Sequence, residues 1–191
     1  MLKTAGAIAL AGGLALLAGC GPRTPPPTIN ASMTQVMAPN AQTVWDTTSR
    51  AFNARGDGLD SAKLTAADWA QLEKAGQAMQ ARALVMAMPG HVTVAGPRET
   101  IMGAEAAQGP SKVGTAWDAA SAKEIQARID ADPALFSERA KILAQAGEAI
   151  LTASRTRDAK KLYDVSSNLD EVCDGCHAKF WGTDEPPPFP K

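Results

Sequence analysis

Hydrophobic positions recur at intervals of three and four residues in four separate stretches of the chain, which is the spacing of amphipathic helices. The first stretch runs from about residue 30 to 52 and contains Pro39. Because proline supplies no amide donor, Pro39 predicts a kink or a restart of this helix. The second stretch begins at Thr65, where Asp68 three residues later predicts a short-armed capping box.

The third and fourth stretches lie in the second half of the chain. Asp132-Pro133, an N-cap followed by a first-turn proline, begins the third, and the fourth begins near Asp158. The short connection between them predicts antiparallel neighbours. In the irregular region 90–130, the rows of apolar residues in 115–129 predict an extra short helix. Few aromatic residues (5%) and abundant alanine agree with an all-α fold.

The N-terminal 19 residues have the pattern of an export signal. Met1-Leu2-Lys3 provides a positive start, and residues 5–17 form an apolar stretch too short to span a bilayer stably. The stretch ends in Leu17-Ala18-Gly19-Cys20, which resembles the lipobox of bacterial lipoproteins and implies that Cys20 is lipidated. An ordinary secretory signal cleaved nearby is the alternative, and either one takes the chain out of the cytoplasm.

These features predict four parts along the chain: a lipoprotein signal (1–19), a lipidated cysteine with a proline-rich tether (20–29), a helical domain (30–181) and a proline-rich tail (182–191). The tether would hold the domain on the periplasmic side of a membrane. The sequence leaves open whether that membrane is the inner or the outer one. Nineteen basic and twenty acidic residues leave no cationic surplus, which argues against nucleic-acid binding.

The strongest chemical signal is Cys173-Asp174-Gly175-Cys176-His177, the attachment pattern of haem c, near the end of the fourth stretch. Residues three and four apart share one helix face, so both thiols and the imidazole project together. The thiols add across the two haem vinyl groups, and His177 then reaches the iron as its proximal ligand. We therefore predict one covalently bound haem c held by Cys173, Cys176 and His177.

The cysteine pair has three other interpretations. An oxidising compartment permits a Cys173–Cys176 disulfide, which would make the chain a structural lipoprotein without haem. A zinc site needs four ligands, and only His91 and carboxylates would complete the set. A thioredoxin-like redox pair belongs in a βαβ context, whereas this pair lies late in a predicted helix.

With these residues in place, the chain resembles the class II cytochromes c, the cytochrome c′ type and its low-spin relatives, over about residues 30–181. The resemblance implies an antiparallel four-helix bundle with haem between the helices. The run Met33-Thr34-Gln35-Val36-Met37-Ala38-Pro39, followed by Trp45, is similar to the low-spin members, in which a methionine six residues before a proline is the distal ligand. That residue is Met33. The chain departs from the family after Phe180, where Trp181 stands in place of the usual basic residue.

Other residues compete with Met33 for the distal position. Met37 lies one turn further along the same helix face and is the alternative distal ligand. Met79 and Met86 fall on the apolar seam of the second helix and are interpreted as packing residues, as are Trp45 and Trp69. His91 follows Pro89-Gly90 and is interpreted as a solvated loop residue.

The resulting expectation is a membrane-tethered c-type cytochrome that transfers single electrons through a His/Met-ligated haem to redox partner proteins of the cell envelope. The alternative is a five-coordinate haem protein that binds nitric oxide or carbon monoxide. No general-base dyad, nucleophile arrangement or phosphate loop is visible, so an enzyme is not expected. The resemblance also makes a homodimer through the first two helices an open alternative to a monomer.

Overall fold

The computed structural model describes residues 27–90, 92–97, 99, 101 and 120–182. Within these ranges the chain is all-α: it forms helices and no strand, apart from one isolated bridge between Phe52 and Leu59. The predicted signal, Cys20, most of the tether, His91, residues 115–119 of the predicted extra helix and nearly all of the tail lie outside the described residues.

The first predicted helix is present in three consecutive pieces. Helix α1 (Ile29–Ser32) leads into a π-helical segment (Met33–Met37), which continues as α2 (Ala38–Ala51). Pro39 explains the π segment, because it cannot donate to the carbonyl of Gln35 and its ring would clash with that carbonyl in a regular α-helix. The wider turn instead lets Ala38 donate its N–H to Met33 O, five residues back.

The second predicted helix begins where the sequence indicated. A 3₁₀ turn (Ser61–Lys63) precedes α3 (Ala66–Met86), and Thr65 is its N-cap. The Thr65 hydroxyl accepts from Asp68 N at 3.2 Å, and Asp68 Oδ2 accepts from Thr65 N at 2.9 Å. The capping box is therefore confirmed.

Two helices follow the irregular region. Helix α4 (Ala122–Ala131) is the extra short helix, and it begins later than the sequence predicted, after a Ser121–Glu124 capping box. Helix α5 (Pro133–Thr156) begins as predicted, with Asp132 accepting from Leu135 N at 3.0 Å.

The fourth predicted helix differs from expectation because it is divided in two. Helix α6 (Ala159–Ser167), capped by Asp158, ends at Asn168, and α7 (Leu169–Phe180) begins directly after it. The side-chain amide of Asn168 donates to Asp164 O at 2.7 Å. This bond occupies the carbonyl of Asp164, which a continuous helix would use for its own backbone hydrogen bond. The first helix therefore ends here and α7 begins as a new one.

Helices α3 and α5 form the closest pair in the structure and run antiparallel. Arg155 Nε contacts Glu73 Oε1 at 2.9 Å at one end, and the Ser137 hydroxyl donates to Ala87 O at 2.8 Å at the other. Between these contacts Gly76 faces Gly147. A Cβ atom at Gly76 would lie 2.6 Å from Leu151 N and 2.8 Å from Gly147 O. Only glycine permits this backbone approach.

The remaining helices pack around this pair: α2 lies against α3, and α6 and α7 lie against α5. The core between them is almost wholly aliphatic and aromatic, with Leu72, Ile150, Leu162 and Phe180 among its fully buried side chains. Among the described residues, no helix has the length and apolar character needed to cross a membrane.

Candidate functional site

A cavity of about 470 Å³ brings together the site residues predicted from the described part of the chain. Cys173, Cys176 and His177 line it from α7, and Met33 and Met37 line it from the π segment. The remaining lining includes side chains of α2, α3 and α5. They include Trp45 of α2, Met79 and Met86 of α3, and Arg139 of α5.

The two thiols sit in surroundings that suppress their ionisation. Burial raises the pKa of Cys173 to about 11, and the nearby Asp170 and Asp174 act in the same direction. Burial likewise raises the pKa of Cys176 to about 11, while the charge of Arg139 opposes the shift. A nucleophilic or disulfide-exchanging cysteine needs a lowered pKa. Neither thiol has that property, and they are not joined in a disulfide.

His177 is partly buried one residue beyond the second thiol. Burial lowers its pKa, and the Asp174 carboxylate partly opposes this effect. A lowered pKa favours the neutral imidazole at pH 7, which is the form that coordinates metal ions. The ring of Trp181 lies 6.1 Å from the imidazole, centroid to centroid, at an angle of 46°.

Met33 and Met37 of the π segment form one wall of the cavity, the methionine wall, and two further methionines contribute sulfur to the lining. Met37 is 5% exposed and Met33 is partly buried against the core. Met79 and Met86, interpreted from sequence as packing residues of α3, are buried as expected but also line the cavity. Met33 and Met37 alone lie on the π segment, and π turns are frequent at functional sites.

Two sets of contacts fix the wall of the cavity that α7 forms. Phe180 is fully buried, and its ring meets Phe136 of α5 edge-on at 5.5 Å. Arg128 of α4 donates to the carbonyl oxygens of Phe180 and Gly182, which lie at the end of α7. The turn that carries His177 is therefore fixed from both α5 and α4.

The methionine wall is anchored at its N-terminal end by segment 92–94. Ile29 N donates to Thr93 O and Asn30 N donates to Val94 O, both at 2.9 Å. The side chain of Gln126 bonds to the same segment, to Val94 N and to Val92 O, again at 2.9 Å. Helix α4 thus contributes to both walls of the cavity, which gives the extra short helix a positional role.

Two buried donors at the cavity have no acceptor among the described residues: Trp45 Nε1 and Arg139 Nε. Sequence reasoning interpreted Trp45 as core and did not identify Arg139. A usable signal existed, because Arg139 lies one turn from both Leu135 and Leu143 on the apolar stripe of α5. A charged residue in such a stripe marks a special environment.

Trp69, also interpreted as core, is buried at 6% exposure and does not line the cavity. Among the described residues, no group of three or more His, Cys, Asp or Glu side chains is arranged to hold a metal ion. Comparison of the chain with protein-family models, with curated proteins and with solved structures found no match.

Proposed function

We propose that this protein is a c-type cytochrome that transfers single electrons through one covalently bound haem. The observation that carries the proposal is the convergence of the haem-attachment residues and two methionines on one cavity. Cys173, Cys176 and His177 come from α7, and Met33 and Met37 come from a different helix. Thiols and imidazole on one wall, with thioethers available from another element, form the donor set of a His/Met haem.

The chemistry of the cavity suits haem c in three ways. Its lining is mostly aliphatic, aromatic and thioether side chains, as a macrocycle requires. The thiols remain protonated at neutral pH rather than acting as exchanging thiolates. Trp45 Nε1 needs an acceptor that the described residues do not provide, and haem carries two carboxylates.

The proposed architecture is an antiparallel four-helix bundle: the α1–α2 helix, α3, α5 and the α6–α7 unit, with α4 as the extra helix. The antiparallel contacts of α3 with α5 and the packing of the other two units against this pair support it. In this arrangement the haem would lie between the outer units, against the α3–α5 pair.

Each residue has a defined part in the proposal. Cys173 and Cys176 hold the cofactor covalently, His177 supplies a neutral imidazole to the iron, and Met33 supplies the thioether, with Met37 as the alternative. When bound, the haem accepts and releases one electron at its iron, and thioether ligation raises its reduction potential. The mostly apolar lining lowers the local dielectric constant and so would favour the less charged ferrous form.

The cellular setting belongs to the same proposal. Lipidation of Cys20 and the proline-rich tether would confine the domain to the periplasmic side of a bacterial membrane, where it could meet envelope redox proteins. The chain has a formal net charge of −1. A basic patch on a partner would complement the exposed Asp170, Glu171 and Asp174 of α7.

The deciding experiment is an optical spectrum of the matured protein in the ferric and ferrous states, with and without carbon monoxide. We expect a low-spin ferric spectrum with a sulfur-to-iron charge-transfer band, and little response to the gas. Met33→Ala should remove that band because it deletes the proposed ligand. Met37→Ala should retain it because the thioether of Met33 remains.

Other results would redirect the assignment. Loss of the band in Met37→Ala alone would make Met37 the ligand. A high-spin spectrum that responds readily to carbon monoxide, and that Met33→Ala leaves unchanged, would place the protein in the five-coordinate, gas-binding class. A colourless protein from cells that contain the cytochrome maturation machinery would refute the haem proposal.

A further inference from the structure

Arg139 is the one arginine or lysine among the described residues that line the cavity. It is partly buried, and the part of the chain that the structure describes provides it with neither a hydrogen bond to Nε nor an ion pair. Charges withdrawn from water in proteins are usually paired. With no such partner among the described residues, the charge of Arg139 acts on whatever lies in the cavity.

The guanidinium lies against the haem-attachment segment. A Cβ atom built on Gly175, between the two cysteines, would lie 3.4 Å from Arg139 Nη1. The guanidinium is thus within contact distance of the turn that carries the two cysteines. The charge is thus held at the edge of the attachment site by α5, while the attachment residues themselves belong to α7.

The acidic residues that line the same cavity are more exposed to solvent than Arg139. Asp170 and Asp174 also line it, but both are exposed on α7 and are screened by solvent. The interaction of a charge with its surroundings grows as the effective dielectric constant falls. At the cavity, the partly buried cation should therefore outweigh each exposed carboxylate.

We infer that Arg139 is a positioning residue that raises the reduction potential of the bound haem. This inference rests on the proposed function. Ferric haem carries one more positive charge than ferrous haem, so a nearby, poorly screened cation destabilises the ferric form. Reduction transfers one electron from the redox partner to the iron and forms or breaks no bond, so Arg139 acts only through its field.

The test is a spectroelectrochemical titration of the matured holoprotein, in which the ferric-to-ferrous ratio is read from the optical spectrum. At the midpoint potential of the wild type, Arg139→Gln should raise this ratio by roughly tenfold, the effect expected for one partly screened charge. Arg139→Lys keeps the charge and should stay close to the wild type. Neither variant should alter the low-spin ferric spectrum.

Lys141 provides a matched control because it is exposed on the same helix, two residues away. Lys141→Gln removes the same charge and should change the ratio little, and high salt should abolish that change. The effect of Arg139→Gln should persist at high salt. If Arg139→Gln fails to fold, the same titration is made on Arg139→Met, a neutral variant that keeps the apolar stem.

The outcomes separate the two proposals. An unchanged potential in a neutral variant that retains normally ligated haem would refute the role of Arg139 and leave the cytochrome assignment intact. A shift that salt abolishes, as for Lys141→Gln, would also refute it. A wild-type protein without covalently bound haem would overturn the proposed function, and this inference with it.

Discussion

At the scale of single residues, Asp68 shows how one carboxylate can secure the start of a helix. Asp68 Oδ2 accepts from the backbone and the hydroxyl of Thr65, and Asp68 Oδ1 accepts from Arg50 Nη2 at 3.1 Å. These contacts, the bonds from Thr65 foremost, lower the pKa of Asp68 below its ordinary value of 3.8. Because the charged form is favoured in the folded state, Asp68 stabilises the fold more when it is ionised than when it is protonated.

We predict that Asp68→Asn lowers the free energy of unfolding at pH 7 by about 1 kcal/mol, the usual contribution of a helix cap. A depressed pKa contributes stability above the unfolded-state value, and this contribution is lost as the pH falls through the folded-state value. The difference between wild type and Asp68→Asn should therefore be full above about pH 5 and should shrink below about pH 4. Urea unfolding over this pH range measures it.

Asp57 offers a comparison because its ion pair with Arg55 is exposed on both sides. Asp57→Asn should change the free energy of unfolding by less than about 0.5 kcal/mol, since exposed ion pairs contribute little. A difference for Asp68→Asn that stayed constant down to pH 2 would show that its charge has no part in the cap.

At the scale of helices, the contact between α3 and α5 is set by backbone rather than by side chains. The nearest atoms to a Cβ at Gly76 are Leu151 N and Gly147 O, and neither can move by rotamer change. Gly76→Ala would favour the helix by about 1 kcal/mol in isolation. The overpacking should reverse that gain, and we predict a net destabilisation of about 1–3 kcal/mol.

Chemical denaturation of the holoprotein measures this as a lower midpoint at an unchanged slope. Gly96→Ala is the control, because a Cβ there would lie 3.7 Å from the nearest atom, the side-chain carboxyl carbon of Glu99, an ordinary contact. Its effect should stay within about 0.5 kcal/mol. Equal effects of the two substitutions would show that α3 and α5 do not approach as closely as described.

At the scale of the whole molecule, two cysteines at opposite ends of the chain have separable roles under the proposed function. We predict that Cys20→Ala moves the protein from the membrane fraction to the soluble periplasmic fraction and leaves its haem spectrum unchanged. Cys173→Ala should do the reverse: the chain stays with the membrane and loses one thioether bond to haem. Fractionation, followed by mass spectrometry and a spectrum, distinguishes them.

A Cys20→Ala protein that has lost its signal segment, as mass spectrometry would show, and still remains membrane-bound would disprove the lipid anchor and leave the haem proposal unaffected. A Cys173→Ala protein that keeps both thioether bonds would disprove the assignment of Cys173 as a haem-attachment residue. It would leave the prediction of a lipid anchor at Cys20 unaffected.

How much of this could be predicted from the sequence depends on whether a feature is local. The helix starts at Thr65, Asp132 and Asp158 were predicted correctly because a cap is a contact between residues three apart. The Cys173–His177 motif could likewise be found because its residues occupy one turn. The break at Asn168 was missed, since its cause is a side chain bonding to its own helix within an otherwise continuous apolar stripe.

Features that arise between elements were harder to predict. Nothing in the local pattern of α5 says that Gly147 meets Gly76, or that Arg139 reaches the cysteine segment of α7. Pro39 did predict an interruption, but sequence could not say whether the helix would kink, restart or widen. That choice depends on the packing of residues on both sides of the proline.

The π segment has a consequence for the direction in which Met33 faces. A π turn accommodates one residue more than the α-helical repeat, so it separates the rotational phase of the helix before it from that of the helix after it. Downstream, Ala41 and Val44 are buried in the core, and upstream Ile29 is buried as well. The π turn therefore lets the helix bury residues on both sides of Pro39, and under the proposed function it sets the direction in which Met33 meets the cavity.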